Sequence, residues 1–169
     1  SEIDALGGYD DPYSSSKACS ELVNFAFRNS FFSSSPSSKQ LVGLASARSG
    51  NAIGGGDWGK DRLLPDCIRA WLDGKTVQIR YPEYIRPWQH VLEPLSGYLL
   101  LAEKLYENDS EFSGAWNFGP EEENIQPVKR ILEQLSSYWE GQVSWEIEEH
   151  DHPREPYCVK LDCSKAKIK

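Results

Sequence analysis

Apolar positions along this chain fall into short blocks separated by Gly-, Pro- and Ser-rich turns, and the blocks switch between helical and extended spacing. After turn signals at Gly7-Gly8 and Asp10-Asp11-Pro12, the spacing predicts a helix from about Tyr13 to Phe31, with Leu22, Phe25, Ala26 and Asn29 on one face. Ser33 to Ser38, broken by Pro36, reads as a surface loop. Leu41 to Ala47 is continuously apolar rather than alternating, the pattern of a buried strand covered on both faces. Gly50, Gly54, Gly55 and Gly56 then mark a loop that ends near Trp58.

Leu64 to Leu72 suits a helix stopped by Asp73-Gly74, and Thr76 to Arg80 a short strand. Pro94 to Asn108 reads as a helix with Leu95, Tyr98, Leu99, Ala102 and Leu105 on one side. Ala115 to Phe118 is a short buried strand, Pro127 to Trp139 a helix opened by proline, and Val143 to Ile147 a strand. The chain closes on a basic helical stretch at Lys169. Strands and helices alternate with no internal repeat, so the fold class is α/β. A shift in composition near Asn51 marks the boundary between two lobes.

Composition narrows the chemistry. A net charge of −8 argues against a general nucleic-acid binder, although a few local arginines can still hold a phosphate. No apolar stretch is long enough to span a bilayer, and no signal-peptide pattern opens the chain. The cysteines, Cys19, Cys67, Cys158 and Cys163, form no CxxC pair and read as reduced thiols of a cytoplasmic protein. Cys158, Cys163, His150 and His152 fit no standard zinc spacing, so no metal is expected. The chain has no methionine and opens on what reads as a loop, as expected of a piece of a longer protein.

Four groups of residues can carry chemistry. Tyr13 and Lys17, four apart, share a helix face; an ammonium held near a phenol favours phenolate and readies it as a general acid or base. Such pairs also arise by chance on many helices. Arg48 to Trp58 follows a strand at its carboxyl end, where ligands of open α/β sheets bind, and Asn51 offers both a donor and an acceptor. The bland alternative is a loop that only turns the chain. Arg62, Arg80 and Arg86 suit bidentate phosphate recognition, or else simple surface charge. His150 to Pro156 is polar and Pro-bounded, the mark of an exposed connection.

In this order the features resemble the extended short-chain dehydrogenase/reductase superfamily. The elements that carry the resemblance are Tyr13-xxx-Lys17, Asn51, Asp61-Arg62-Leu63-Leu64-Pro65, Arg86-Pro87-Trp88 and Asn117-Phe118-Gly119. Within it, GNAIGGGDWGKDRLLPD, RPWQHVLEPLSGYLLLAE and the terminal LDCSKAK resemble nucleotide-sugar 4,6-dehydratases that act on CDP-glucose. The resemblance covers essentially the whole chain. It implies NAD as cofactor, on a doubly wound Rossmann lobe whose glycine fingerprint lies upstream of this stretch. An upstream Thr and acidic catalytic group are implied to be missing as well, so the chain alone is expected to be inactive.

Residues 1–50 would then end the Rossmann lobe, and 51–169 would form mainly a small mixed α/β lobe that binds the nucleotide sugar, with 115–140 returning to the Rossmann lobe. The resemblance makes Tyr13 and Lys17 both catalytic and cofactor-binding. It places Asn51, Arg62, the Leu63 backbone and Arg86 on the diphosphate, Gln78 to Arg80 along the pyrimidine, and His152 or Arg154 over the phosphate. It also implies a homodimer built on helices that include the one bearing Tyr13. A nucleotide-sugar epimerase, a dTDP-glucose 4,6-dehydratase or a non-catalytic interaction module remain alternatives.

Overall fold

The computed structural model describes residues 2, 7, 11–32, 42–107, 109–150, 152 and 155–169. In chain order its elements are α1 (Pro12–Phe27), a π-helical turn (Arg28–Phe32), β1 (Ala45–Ser49), β2 (Asn51–Ile53), α2 (Leu63–Leu72), β3 (Val77–Ile79) and β4 (Ile85–His90). There follow α3 (Leu92–Glu107), α4 (Asp109–Phe112), β5 (Gly114–Phe118), a 3-10 turn (Glu122–Asn124), β6 (Ile125–Pro127), α5 (Val128–Ser137), β7 (Trp145–Ile147) and α6 (Ser164–Ile168). They divide into two compact units. One comprises Ser1–Ser49, Glu93–Phe118 and Leu161–Lys169; the other comprises Gly50–Leu92 and Gly119–Lys160. The stretch 115–140 therefore divides at Phe118 instead of travelling as one block.

The first unit is built on a parallel pair, β1 with β5, in register from Ala45 opposite Gly114 to Ser49 opposite Phe118. Asp11 starts α1: its carboxylate accepts from the Ser14 amide at 2.8 Å and the Ser14 hydroxyl at 2.6 Å, with Pro12 in the first turn. Leu101, Phe112 and Trp116 form its core, with Leu105 and Phe118 packed against them. α6 is tied to β5 by Lys165, whose ammonium donates to the Ala115 carbonyl at 2.6 Å and lies 3.8 Å from the centre of the Trp116 ring.

Two expectations fail in this unit. The strand expected over Leu41 to Ala47 begins at Ala45 and runs on to Ser49, and its residues are half-buried or exposed. Among the described residues it has one strand neighbour, β5; Leu41 itself lies outside the described residues. The stripe expected on α3 is split: Leu95, Leu99 and Ala102 are exposed, whereas Tyr98 packs edge-on against Phe118 and Leu105 joins the buried Leu101 at the core. The packed side is set by Gly97, where a Cβ would lie 2.4 Å from the Phe118 ring, so only glycine admits that ring.

The second unit holds a mixed sheet ordered β2-β4-β6 and a parallel pair, β3 with β7. α2 and α5 enclose its core of Cys67, Trp71, Val77, Ile79 and Leu132. Trp71 packs edge-on against Trp139 and donates its indole N–H to the Ser144 carbonyl at 3.1 Å. α2 ends as its Asp-Gly signal requires. Gly74 takes φ +67°, its amide reaches the Trp71 carbonyl, and the Lys75 amide reaches Ala70. Here the expected glycine-rich loop is partly a strand, since Asn51–Ile53 pairs with β4.

Candidate functional site

In the first unit, Asp11 and Pro12 set the start of α1 so that Tyr13 and Lys17 stand one turn apart. The Lys17 ammonium lies 5.4 Å from the centre of the Tyr13 ring, and Tyr13 is 72% exposed. Farther along the helix, Glu21 accepts from Arg48 at 2.7 Å and Asn24 donates to Ser46 at 2.8 Å, which ties α1 to β1. The Arg48 bond holds the Glu21 carboxyl below its ordinary range. A recess of about 400 Å³ lies between α1 and the β1/β5 pair, lined by Leu22, Phe25, Arg28 and Leu44 among others. Neither Tyr13 nor Lys17 lines it, so the recess is separate from the acid–base pair.

In the second unit, Gly50 lets β2 start against β4: a Cβ there would lie 2.5 Å from the Pro87 carbonyl oxygen. That pairing places the exposed Asn51 opposite Trp88. Arg62 precedes α2 and donates to Asp57 at 2.8 Å, while Asp57 also accepts from the Gly59 amide. Both effects hold the half-buried Asp57 carboxyl low, the Arg62 bond most. Arg69, overlooked in the sequence, pins this loop by donating to the Trp58 carbonyl at 2.8 Å and the Gly59 carbonyl at 3.0 Å. Leu63 opens α2, and no side chain caps that helix start. Its first-turn amides are a ready place for an anion.

On β3, Gln78 faces Glu146 of β7 and donates its amide N–H to that carboxylate. Arg80 and His152 both approach Glu148, at 3.6 and 3.4 Å. The His152 side chain is largely buried and packs edge-on against Tyr81. Arg86 lies on β4 with its side chain 12% exposed. It donates to the carbonyls of Ile85 at 2.9 Å and Pro156 at 3.0 Å, and to the Glu155 carboxylate at 2.8 Å, below the Tyr84 ring. Arg154 lies outside the described residues.

The structure thus brings Tyr13 to Lys17, and gathers Gln78, Arg80 and His152 along one strand pair. Arg62 and Arg86 each hold a carboxylate of their own instead of sharing one. The partners Asp57, Glu146, Glu148 and Glu155 escaped the sequence reading. The alternation of polar residues at 76, 78 and 80 and again at 144, 146 and 148 was the signal that could have found two of them. Among the described residues no group of His, Cys, Asp or Glu is placed to hold a metal ion, and no helix is long and apolar enough to cross a membrane.

No family model matches the chain. It is 52% identical over 99% of its length to a CDP-glucose 4,6-dehydratase of Salmonella typhimurium, and spans 46% of that relative. Among solved structures, a point mutant of a UDP-glucuronic acid 4-epimerase from Bacillus cereus, bound to NAD and a fluorinated UDP-sugar, superposes with a TM-score of 0.78 at 17% identity. It covers 99% of this chain and 49% of its own. A dTDP-glucose 4,6-dehydratase from Bacillus anthracis in complex with NAD superposes with a TM-score of 0.66 at 19% identity, covering 99% of this chain and 48% of its own. At under 25% identity these structures show the fold alone, an α/β architecture that this chain shares.

Proposed function

We propose that this chain is part of an NAD-dependent lyase that converts CDP-glucose to CDP-4-keto-6-deoxyglucose. The observation that carries the proposal is the 52% identity to a CDP-glucose 4,6-dehydratase, sustained over 99% of the chain. The exposed Tyr13 hydroxyl, with Lys17 over its ring, suits a cofactor that works beside an acid–base group. When bound, NAD supplies the hydride acceptor for sugar carbon 4 and the hydride donor for carbon 6.

Lys17 holds positive charge beside the Tyr13 phenolate, which takes the proton from the 4-hydroxyl and becomes the neutral phenol. The 4-ketone acidifies the proton on carbon 5, so that water leaves across carbons 5 and 6. Asn51, Arg62, the amide of Leu63 and Arg86 hold the diphosphate. Gln78 and Arg80 meet the pyrimidine, and His152 or Arg154 closes over the phosphates. Four free cysteines support a reducing, cytoplasmic setting. α1 buries none of its residues and exposes Leu22, Val23 and Phe25, which supports a homodimer through this helix. The product class places the enzyme in deoxysugar biosynthesis.

The test joins a CDP titration to an assay of CDP-glucose turnover with NAD, run on this chain and on a polypeptide that carries the full length of the Salmonella relative. Turnover is expected from the longer polypeptide alone. There Tyr13→Phe should abolish turnover and leave CDP affinity intact, because it removes a proton acceptor but little binding surface. Arg86→Ala should weaken CDP roughly ten- to a hundredfold, and Arg62→Ala should act in the same direction. Loss of CDP affinity in Tyr13→Phe, with the arginine variants unaffected, would reverse these roles.

A further inference from the structure

The outward face of the β3/β7 pair has a fixed hydrogen-bonding sense. Val77 and Ile79 turn into the core at 5% exposure each, which leaves Thr76, Gln78 and Arg80 outward. Their partners across the pair are Ser144, Glu146 and Glu148. A glutamine amide can offer either its N–H₂ or its carbonyl oxygen, and in water it turns freely between them. Beside Glu146 that freedom is gone. A carboxylate only accepts, so the Gln78 nitrogen must face Glu146 and the Gln78 carbonyl oxygen must face away. No donor among the described residues reaches that oxygen. Two positions along the strand, Arg80 carries donors only.

We propose that Glu146 locks the Gln78 amide as a hydrogen-bond acceptor, and that this makes the face select cytosine over uracil or thymine. The proposal rests on the nucleotide-sugar reading above and adds to it the means of choosing the base. Cytosine presents an exocyclic amino donor next to a ring-nitrogen acceptor; uracil and thymine present a carbonyl acceptor next to a ring N–H donor. Acceptor Gln78 followed by donor Arg80 complements the first order and opposes the second. The opposed pairing would leave polar groups facing their like, which a site built for hydrogen bonding rejects strongly. Glu146 is a positioning residue here, and Gln78 is the group that reads the base.

Calorimetric titration of this chain with CDP and with UDP isolates the base edge, since the two ligands share ribose and diphosphate. The wild type should favour CDP by about ten- to a hundredfold, the discrimination expected of one or two oriented hydrogen bonds. In Glu146→Gln the new amide can donate or accept, Gln78 can turn over, and the preference should fall to within about threefold, with UDP tightening as CDP weakens. Gln78→Leu should lower CDP to the level of UDP and leave UDP unchanged. A helix or sheet disturbance would instead weaken both ligands together. Equal binding of CDP and UDP by the wild type, or a full CDP preference kept by Glu146→Gln, would overturn the proposal while leaving the nucleotide-sugar reading standing. Binding of neither nucleotide would overturn that reading, and this one with it.

Discussion

Leu132 offers the sharpest test of what supports the candidate base-reading strand. It is 0% exposed and packs with Cys67, Trp71, Val77 and Ile79, beneath the face that carries Gln78 and Arg80. Leu132→Ala removes three carbon groups from this core. At about 0.8 kcal/mol per buried carbon group the lost transfer energy is about 2.4 kcal/mol. A void of about 80 Å³ adds about 1.9 kcal/mol at 24 cal/mol per Å³ if the walls stay in place. The walls are a strand pair and the edge-on Trp71–Trp139 contact, both poorly able to move inward. The loss should therefore approach 4 kcal/mol, a large share of the stability of an ordinary domain. Urea unfolding followed by tryptophan fluorescence measures it, because Trp71, Trp139 and Trp145 line this core. Leu99→Ala, at a site 74% exposed, should stay within about 0.5 kcal/mol of wild type and serves as the control. A loss below about 1.5 kcal/mol at unchanged m-value would refute the claim of a rigid core under β3.

Two further outcomes follow from the titrating groups. Glu21 is held below its ordinary value of 4.5, first by the Arg48 hydrogen bond. Its stabilisation is therefore complete above about pH 4.5 and is lost as pH falls through the lower folded value, so Glu21→Gln should flatten the melting temperature of the chain against pH in that acid window and change little near pH 7. Burial pushes the Cys67 thiol up to about 12, so a thiol reagent at pH 8 should modify the exposed Cys19 and Cys158 in the native chain and reach Cys67 only in denaturant; rapid native labelling of Cys67, read by peptide mass spectrometry, would contradict the packing described for α2.

The sequence was most legible where one period was clean. α2, α5, β3 and β5 stand within a residue or two of their expected bounds, because each buries one defined stripe or a short apolar run. β4 escaped, since Arg86, Pro87 and Gln89 make it read as irregular and proline demotes a strand; it persists because β2 and β6 flank it. α3 misled for the opposite reason. Leu95, Leu99, Leu100, Leu101 and Leu105 leave apolar residues on several sides, so spacing alone could not choose a face, and the small Gly97 chose it. At the candidate site, residue types were readable but partners were not. Glu155 meets Arg86 across 69 positions and Glu146 meets Gln78 across 68, and no local pattern encodes pairings at that range.

The threading of the chain has a consequence for the order of its birth. The first unit is assembled from three stretches, the last of which is Leu161–Lys169, whereas the second is finished at Lys160. During synthesis from the amino end, α1 and β1 emerge before β5 and wait for it, and the pairing closes a gap of 69 residues between Ala45 and Gly114. They then wait again for Leu161–Lys169, which brings Lys165 to the Ala115 carbonyl and the Asp162 carbonyl to the Asn117 amide. A chain cut just past Lys160 would keep both described stretches of the second unit and lack the one that latches the first, leaving its acid–base helix formed but unsecured.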